Sequence, residues 1–460
     1  MIQRMVWAAI VLVEIISLSL VSSARAGERP LSLEQRLDRL VLDRYPSATE
    51  PGAAVLVMVD GKPVLRKGYG MAAVEKGVKV TPDMIFRIAS ITKQFTAVAV
   101  LQLVQAGKVS LTDPITKYVP DFDTQGKTIT IENLLTHTSG LHNVTALDGF
   151  LPQSTSDLKP IEVANLIAGK LLEFEPGSRF KYSNTNYVLL GMLIEKVTGR
   201  TYAENLEASI AKPLGLADTR YSRDDALTAR HARGYDRESS GKWVPMKPIS
   251  MTQPYAAGAI ESTVDDLAKW TQALADGKGV DSKLLERAWT PYRPTEGPSD
   301  YGYGWFIRTD SGERWIGHNG GINGFLSAAV WIPEKKVFVA ILCNGMGGGP
   351  PDTLLWQLAL EAVGRPEAAR VAITLPAETL DRYVGVYALS PEAKFTISRQ
   401  GDRLFAEAPN KSKVELVAEA EDKFFSPASN VRFSFTIENE KATQMTLRRA
   451  GRDSLAKRVD

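Results

Sequence analysis

The spacing of apolar residues changes along the chain, and the changes mark its elements. Ser32-Leu33-Glu34-Gln35 has the pattern of a capping box and predicts a helix running to about Tyr45. Two apolar runs follow, Ala53 to Val59 and Val64 to Gly70, separated by Asp60-Gly61, a pair suited to a tight hairpin turn. Far downstream, Arg314 to His318, Phe325 to Ile332 and Lys336 to Leu342 read as three more strands, and Thr353 to Val363 as a helix. The terminal segments are therefore expected to share one antiparallel sheet.

Between those ends, roughly residues 90–290 carry helical spacing and loops, with Gly107, Gly199 and Gly277 closing periodic stretches. This predicts a helical lobe inserted into a sheet domain. After Gly364-Arg365-Pro366 the pattern shortens. Tyr383 to Tyr387, Phe395 to Gln400, Arg403 to Ala408, Val414 to Ala418 and Arg432 to Glu438 are strand candidates, with turns at Asn410 to Lys413 and Ser426 to Asn430. The expected organisation is a sheet-and-lobe domain over 27–365, a linker over 366–378 and a small antiparallel, barrel-like β domain over 379–460. The basic stretch from Arg448 to Arg458 reads as a solvated surface edge.

Composition adds exclusions. The 55 basic and 53 acidic residues leave a net charge of +2, which carries no nucleic-acid or membrane footprint. The first 26 residues have the form of an export signal: Arg4, a mostly apolar run from Met5 to Val21 interrupted by Glu14, and Ala24-Arg25-Ala26 before Gly27. The protein is thus expected to be periplasmic or secreted, an uncleaved anchor being the alternative. Cys343 is the single cysteine and sits in an apolar strand-like run, so a buried structural thiol is expected there.

Ser-x-x-Lys places a hydroxyl and an amine one helical turn apart, where a desolvated lysine can take the serine's proton. The pattern begins at Ser90, Ser156, Ser178, Ser209, Ser239 and Ser454, so context must choose. Only Ser90-Ile91-Thr92-Lys93 runs into a long helix that is apolar on every face, Phe95 to Val104, the mark of a buried helix. A second motif, Tyr182-Ser183-Asn184, precedes a helix with inward Tyr187, Leu190, Ile194 and Val197. Its phenol can relay a proton and its amide can hold a substrate carbonyl. A third, His318-Asn319-Gly320-Gly321, is expected at the end of a strand, where glycines permit close approach of a substrate backbone. His137, His142, His231 and His318 show no metal-ligand spacing, and no cofactor or metal is expected.

With these three motifs in this order, the chain resembles the serine β-lactamase and penicillin-binding-protein superfamily, in the branch of class C β-lactamases, D-Ala-D-Ala carboxypeptidases, D-aminopeptidases and related esterases. Further similar phrases, read as scaffold, are Thr130 to Leu141, Pro213 to Leu216, Ser262 to Leu267 and Tyr301 to Trp305, so the resemblance covers about residues 50–345. It implies an α/β (α+β) sandwich carrying a helical lobe, with a cleft between sheet and lobe, and an acyl-enzyme reaction on a small-molecule or peptide substrate. Ser90 would be the nucleophile, and Lys93 and Tyr182 would share proton transfer. Asn184, His318, Asn319, Gly320 and Gly321 would bind substrate, with the N–H groups of Ser90 and Gly321 as oxyanion hole. The residues from 379 onward resemble a lipocalin-like domain; the likeness implies no function for it, and a ligand-binding barrel, a cap and a module for homo-oligomers are the alternatives.

The third motif departs from the family pattern, since β-lactamases usually carry Lys-Thr-Gly there. A histidine, with an ordinary pKa of about 6.5, is mostly uncharged at neutral pH. Recognition of a substrate carboxylate is expected to be weak, or to strengthen as the pH falls. This favours the peptidase or esterase side. The alternatives are a true class C-like β-lactamase and a penicillin-binding receptor that stays acylated.

Overall fold

The Ser32 hydroxyl accepts the Gln35 N–H at 3.2 Å, and the Gln35 side chain accepts the Ser32 N–H at 2.9 Å. This closed box starts α1 (Leu33–Arg44), which buries Leu37 and Val41. The structure, a computed structural model, describes residues 30–460 apart from 148–154, 224–227, 248, 348, 367–370, 391–392, 410–412, 427–430 and 450–451. The export signal expected over 1–26 lies outside the described residues, as do part of the linker and most of the turns expected near 410 and 427.

β1 (Ala53–Val59) and β2 (Lys62–Tyr69) form the expected hairpin. Asp60 and Gly61 both have positive φ, the conformation that a two-residue turn between twisted strands requires. The lobe follows, with α2 (Thr92–Gln105), α3 (Asn184–Thr198) and α4 (Val264–Ala275) as its longer helices. Gly199 ends α3 in the left-handed conformation. The chain then returns to the sheet through β3 (Phe306–Asp310), β4 (Glu313–Ile322), β5 (Phe325–Ile332) and β6 (Val337–Cys343), and closes with α5 (Asp352–Ala362).

The sheet runs β3-β4-β5-β6-β1-β2, with every neighbour antiparallel. Its centre joins the two ends of this unit, from Ala53 opposite Cys343 to Val59 opposite Val337. Side chains alternate between the faces. Val55, Val57, Val339 and Ile341 pack with Leu37, Val41 and Leu358 beneath α1 and α5. Ala54, Leu56, Phe338, Ala340 and Leu342 face the lobe and join the core around Phe95, Val98 and Tyr187. Because both faces are covered, β5 and β6 are buried at every position. Cys343 is buried against the Tyr45 hydroxyl at 2.9 Å, and burial raises its thiol to about 11, the condition of an inert structural thiol.

Two strand expectations need correction here. β3 was not foreseen: it is an edge strand in which Ile307 alone is buried, so it carries little periodic signal. β4 extends to Ile322, four residues past the expected end, so the third motif lies within a strand. The backbone ladder to β5, from His318 opposite Ala329 to Ile322 opposite Phe325, outweighs the poor strand preference of two glycines.

After the linker, β7 (Gly385–Ala388), β8 (Lys394–Gln400), β9 (Arg403–Glu407), β10 (Lys413–Ala420), β11 (Lys423–Phe425), β12 (Arg432–Glu438), β13 (Lys441–Arg449) and β14 (Arg452–Arg458) close a barrel. The stretch expected as a solvated edge is therefore structural. β14 pairs with β13 and, through Arg458 opposite Tyr387, with β7. Buried Ala442, Met445 and Ala456 sit among polar and charged residues, and a register shift puts Ala442 and Met445 three positions apart, so no alternation shows in the sequence. Tyr383, Tyr387, Phe424 and Phe435 pack against one another inside. Among the described residues no helix is long and apolar enough to cross a membrane.

The barrel core shares no residue with either core of the sheet-and-lobe unit. A chain ending after Arg365 is therefore expected to stay soluble, with the far-UV circular dichroism of the mixed unit and one cooperative melt. Aggregation of that product would show that the barrel covers surface the sheet needs covered.

Candidate active site

Helix α2 enters the core without a side-chain cap. A 3₁₀ turn, Ala89–Ile91, precedes it, and Ala89 adopts φ +48°, a costly conformation for a residue other than glycine. The turn is held from outside: Ser327 Oγ on β5 donates to the Ile88 carbonyl at 2.7 Å, and the Ile88 N–H donates to the Ile260 carbonyl at 3.0 Å. Ser90 sits in this turn, half-buried, while Thr92 to Leu101 are buried behind it.

Lys93 is fully buried one turn on. Its Nζ lies 3.1 Å from Ser90 Oγ, 2.7 Å from Asn184 Oδ1 and 2.7 Å from the Ala257 carbonyl oxygen. Burial holds its pKa well below the ordinary lysine value. On the other side of the serine, the Tyr182 hydroxyl donates to Ser90 Oγ at 2.9 Å, and burial raises the phenol's pKa against the smaller opposing effect of that bond. Ser90, Lys93, Tyr182 and Asn184 are thus brought together from two stretches of chain about 90 residues apart.

Asn184 is the first residue of α3. Its Nδ2 donates to Thr145 Oγ1 at 2.8 Å, which turns Oδ1 toward Lys93, and its backbone N–H donates to Asn143 Oδ1 at 3.0 Å. Both ends of the amide are bound to protein, which fixes its orientation, and Nδ2 keeps a second N–H beyond the one given to Thr145. The Ala257 carbonyl is presented by the Tyr255–Gly258 turn, against which α3 packs closely through Gly191. A Cβ there would lie 2.4 Å from Tyr255 Cε1 and 2.5 Å from Ala256 Cβ.

The third motif divides between the two faces of β4. His318 faces the lobe, 4% exposed. Its Nδ1 donates to the Asn319 carbonyl and its Nε2 accepts from the Tyr301 hydroxyl at 3.1 Å, so both nitrogens are engaged within the protein. Burial, and then Lys93, lower its pKa to about 3. His318 is therefore uncharged at neutral pH, and any strengthening of carboxylate recognition as the pH falls is moved far to the acid side. Gly320 meets the serine turn: a Cβ there would come within 2.6 Å of the Ile88 carbonyl oxygen and 2.8 Å of the Ser90 nitrogen. Gly321 follows, exposed, at the end of the contact. Asn319 is the expected site residue that the structure does not bring to Ser90. Strand alternation turns its side chain to the other face, where Nδ2 donates to Asp352 Oδ1 at 2.7 Å.

Several positioning groups went unrecognised in the sequence. His137, read as scaffold, is buried with φ +57°, and its ring lies 4.3 Å from the Tyr182 ring and 4.8 Å from the Tyr301 ring. Its Nδ1 accepts the Ser183 N–H at 3.2 Å, which ties the second motif to it. Asn143, Thr145 and Tyr301 were findable only as polar residues near similar phrases. Ala257 offers no side-chain signal at all, because its backbone oxygen does the work.

The family described as Beta-lactamase matches residues 37–364, and that described as Domain of unknown function (DUF3471) matches residues 369–457. Protein flp of Staphylococcus aureus (strain N315) is 31% identical over 318 residues, 68% of this chain. The aligned part is 63% of that relative, so the chain spans less than two thirds of its length. Among solved structures, the octameric penicillin-binding protein homologue from Pyrococcus abyssi superposes with a TM-score of 0.66 at 31% identity, covering 92% of this chain and 99% of that one. D-Amino acid amidase from Ochrobactrum anthropi SV3, complexed with D-phenylalanine, gives 0.62 at 26% identity, covering 72% and 99%.

The packing of Gly320 generates a contrast within one dipeptide. Gly320→Ala must push backbone atoms apart and is expected to cost about 1 to 3 kcal/mol. A Cβ on Gly321 would touch only the end of Leu326 at 3.4 Å, so Gly321→Ala is expected to leave stability within about 0.5 kcal/mol. Urea unfolding of the two variants measures the difference, and equal losses would refute the close approach.

Proposed function

The chain belongs to the beta-lactamase family, and from that premise we propose that it is an exported serine hydrolase that cleaves amide or ester bonds through an acyl-enzyme on Ser90. One observation carries the reading: the proton inventory around Lys93. A neutral lysine has two N–H groups and one lone pair. The Asn184 and Ala257 oxygens, each at 2.7 Å, take the two N–H groups, and the lone pair is left for the Ser90 O–H at 3.1 Å. Tyr182 donates to the same oxygen from the other side.

The reaction follows from that arrangement. Ser90 Oγ attacks the substrate carbonyl as its proton passes to Lys93 Nζ, and the developing oxyanion is held by the N–H groups of Ser90 and Gly321. When the tetrahedral intermediate collapses, the C–N or C–O bond breaks, and Tyr182 relays a proton from Lys93 to the departing amine or alcohol. Water then attacks the acyl-enzyme by the same proton path in reverse. The raised pKa of Tyr182 supports its use as a protonated relay and Lys93 as the base.

The neutral, internally bonded His318 supports uncharged amides or esters over substrates that need a cation for a carboxylate. Amidase activity on D-amino acid derivatives is the narrower form of this proposal, supported by the likeness to D-amino acid amidase. Export rests on the pattern of residues 1–26. For the barrel we propose a role in assembly or capping: its interior is filled by aromatic side chains, and the octameric homologue covers 92% of this chain.

Ser90→Ala is expected to abolish labelling by a fluorophosphonate or penicillin probe, read by intact-protein mass spectrometry; an adduct on another serine would refute the assignment. Steady-state assays with D-amino acid amides, p-nitrophenyl butyrate and nitrocefin decide the substrate class, with the uncharged substrates expected to lead in kcat/KM. An acylated protein that does not turn over would instead identify a penicillin-binding receptor.

The pH dependence has a defined sign. Catalysis needs Lys93 unprotonated, so kcat/KM should fall on the acid side as Lys93 takes up a proton, at a pH well below that of an ordinary lysine. His318, held at about 3, does not titrate in that range. The ratio of kcat/KM for p-nitrophenyl butyrate to that for nitrocefin should therefore stay level from about pH 5 to pH 8. A rise in relative nitrocefin turnover as the pH falls would show that His318 gains a proton.

A further inference from the structure

Proton transfer from Ser90 to Lys93 creates an ammonium in a place built without a counter-ion. Lys93 is fully buried, and among the described residues no carboxylate pairs with it; its polar partners are the neutral oxygens of Ser90, Asn184 and Ala257. The titratable side chains around it bring no negative charge. His137 and His318 are held neutral by burial, which lowers their pKa values, and Tyr182 and Tyr187 are held protonated, because burial raises theirs. Two ring faces supply what the oxygens lack. Lys93 Nζ lies 4.9 Å from the centroid of the Tyr182 ring and 5.5 Å from that of Tyr187, both inside the roughly 6 Å over which a cation is drawn to the negative face of an aromatic ring.

Tyr182 already has its place beside the serine, whereas helical spacing alone makes Tyr187 a core residue. It is buried, and its hydroxyl is tethered to the Leu135 carbonyl at 2.9 Å, which holds the ring in place. It also follows Asn184 by three positions on α3, so consecutive turns of one helix present an amide oxygen and a ring face to the same nitrogen. On the acyl-enzyme reading of Ser90, we propose that the ring face of Tyr187 stabilises Lys93 as an ammonium while the serine is acylated. As Oγ bonds to the substrate carbonyl carbon, the Oγ–H bond breaks, an Nζ–H bond forms and the carbonyl electron pair moves to its oxygen. Positive charge then appears on Nζ in front of the ring. A neutral lysine gains little from that face, so the interaction favours the transition state over the resting enzyme. Tyr187 acts only through Lys93 and is a positioning residue.

Phenylalanine and its mono-, di- and trifluorinated forms, placed at position 187, test this, because fluorine withdraws negative potential from the ring face with little change of shape. The measurement is kcat/KM for p-nitrophenyl butyrate against pH, with circular dichroism to confirm each fold and Ser90→Ala as the blank. Its p-nitrophenolate leaving group needs no proton, so the step at Lys93 is read apart from the Tyr182 relay. Along the series the plateau above the acid limb should fall by about three- to tenfold in total, while the acid limb moves down by about half to one pH unit, since a less stabilised ammonium loses its proton at lower pH. Should loss of the bond to Leu135 unfold the phenylalanine variant, mono- and difluorotyrosine at 187 keep that bond and must show the same order. A flat series, or rates that change while the acid limb stays fixed, would overturn the proposal and leave acylation of Ser90 standing. Turnover that survives in Ser90→Ala would overturn the acyl-enzyme reading and this proposal with it.

Discussion

A lysine amine enclosed without bulk water can be kept only if its charge is given up or its hydrogen bonds are met in full. At Lys93 three oxygens converge on one nitrogen, from the turn before its own helix, from the start of α3 and from the Ala257 carbonyl. Each reaches it only because a separate piece of the fold is in place. α2 must be buried between sheet and lobe, Asn184 must be turned by Thr145, and Gly191 must leave room for the turn that carries Ala257. The same burial holds the lysine's pKa well below its ordinary value, so the group that is hardest to bury is favoured in its neutral form, with a lone pair to offer.

The two histidines beside this lysine are kept uncharged. His137 and His318 are both buried close to Lys93, and their pKa values are lowered by burial first and by the lysine next. Tyr301 bonds to one imidazole and packs on the other, making a continuous group of rings behind Tyr182. On the proposed reaction, charge that develops on the substrate is met by fixed dipoles, and the histidine of the third motif offers no full positive charge to a substrate carboxylate.

The sheet acts as a divider as well as a support. Along β4 the alternation of side chains sends Gly320 against the serine turn and Asn319 to Asp352 on the far side, so consecutive residues serve two environments. The barrel stands apart from this arrangement, with a core of its own.

What the sequence determined by itself is what depends on local spacing. The capping box at Ser32, the Asp60-Gly61 hairpin, the doubly buried runs of β5 and β6 and the all-apolar helix after Ser90 are short-range patterns, and the architecture and the three motifs could be read from them. Elements whose burial is slight or interrupted by long charged side chains were lost, as with β3 and the two strands that close the barrel. Only the tertiary structure decided which motif residues meet. The inward turn of His318 with both nitrogens engaged, the outward turn of Asn319, the support of Tyr182 by His137 and the role of the Ala257 carbonyl all depend on contacts between residues far apart in the chain. A backbone oxygen bears no mark of its residue type, and a side chain's face is set by strand register, which is a property of the assembled sheet.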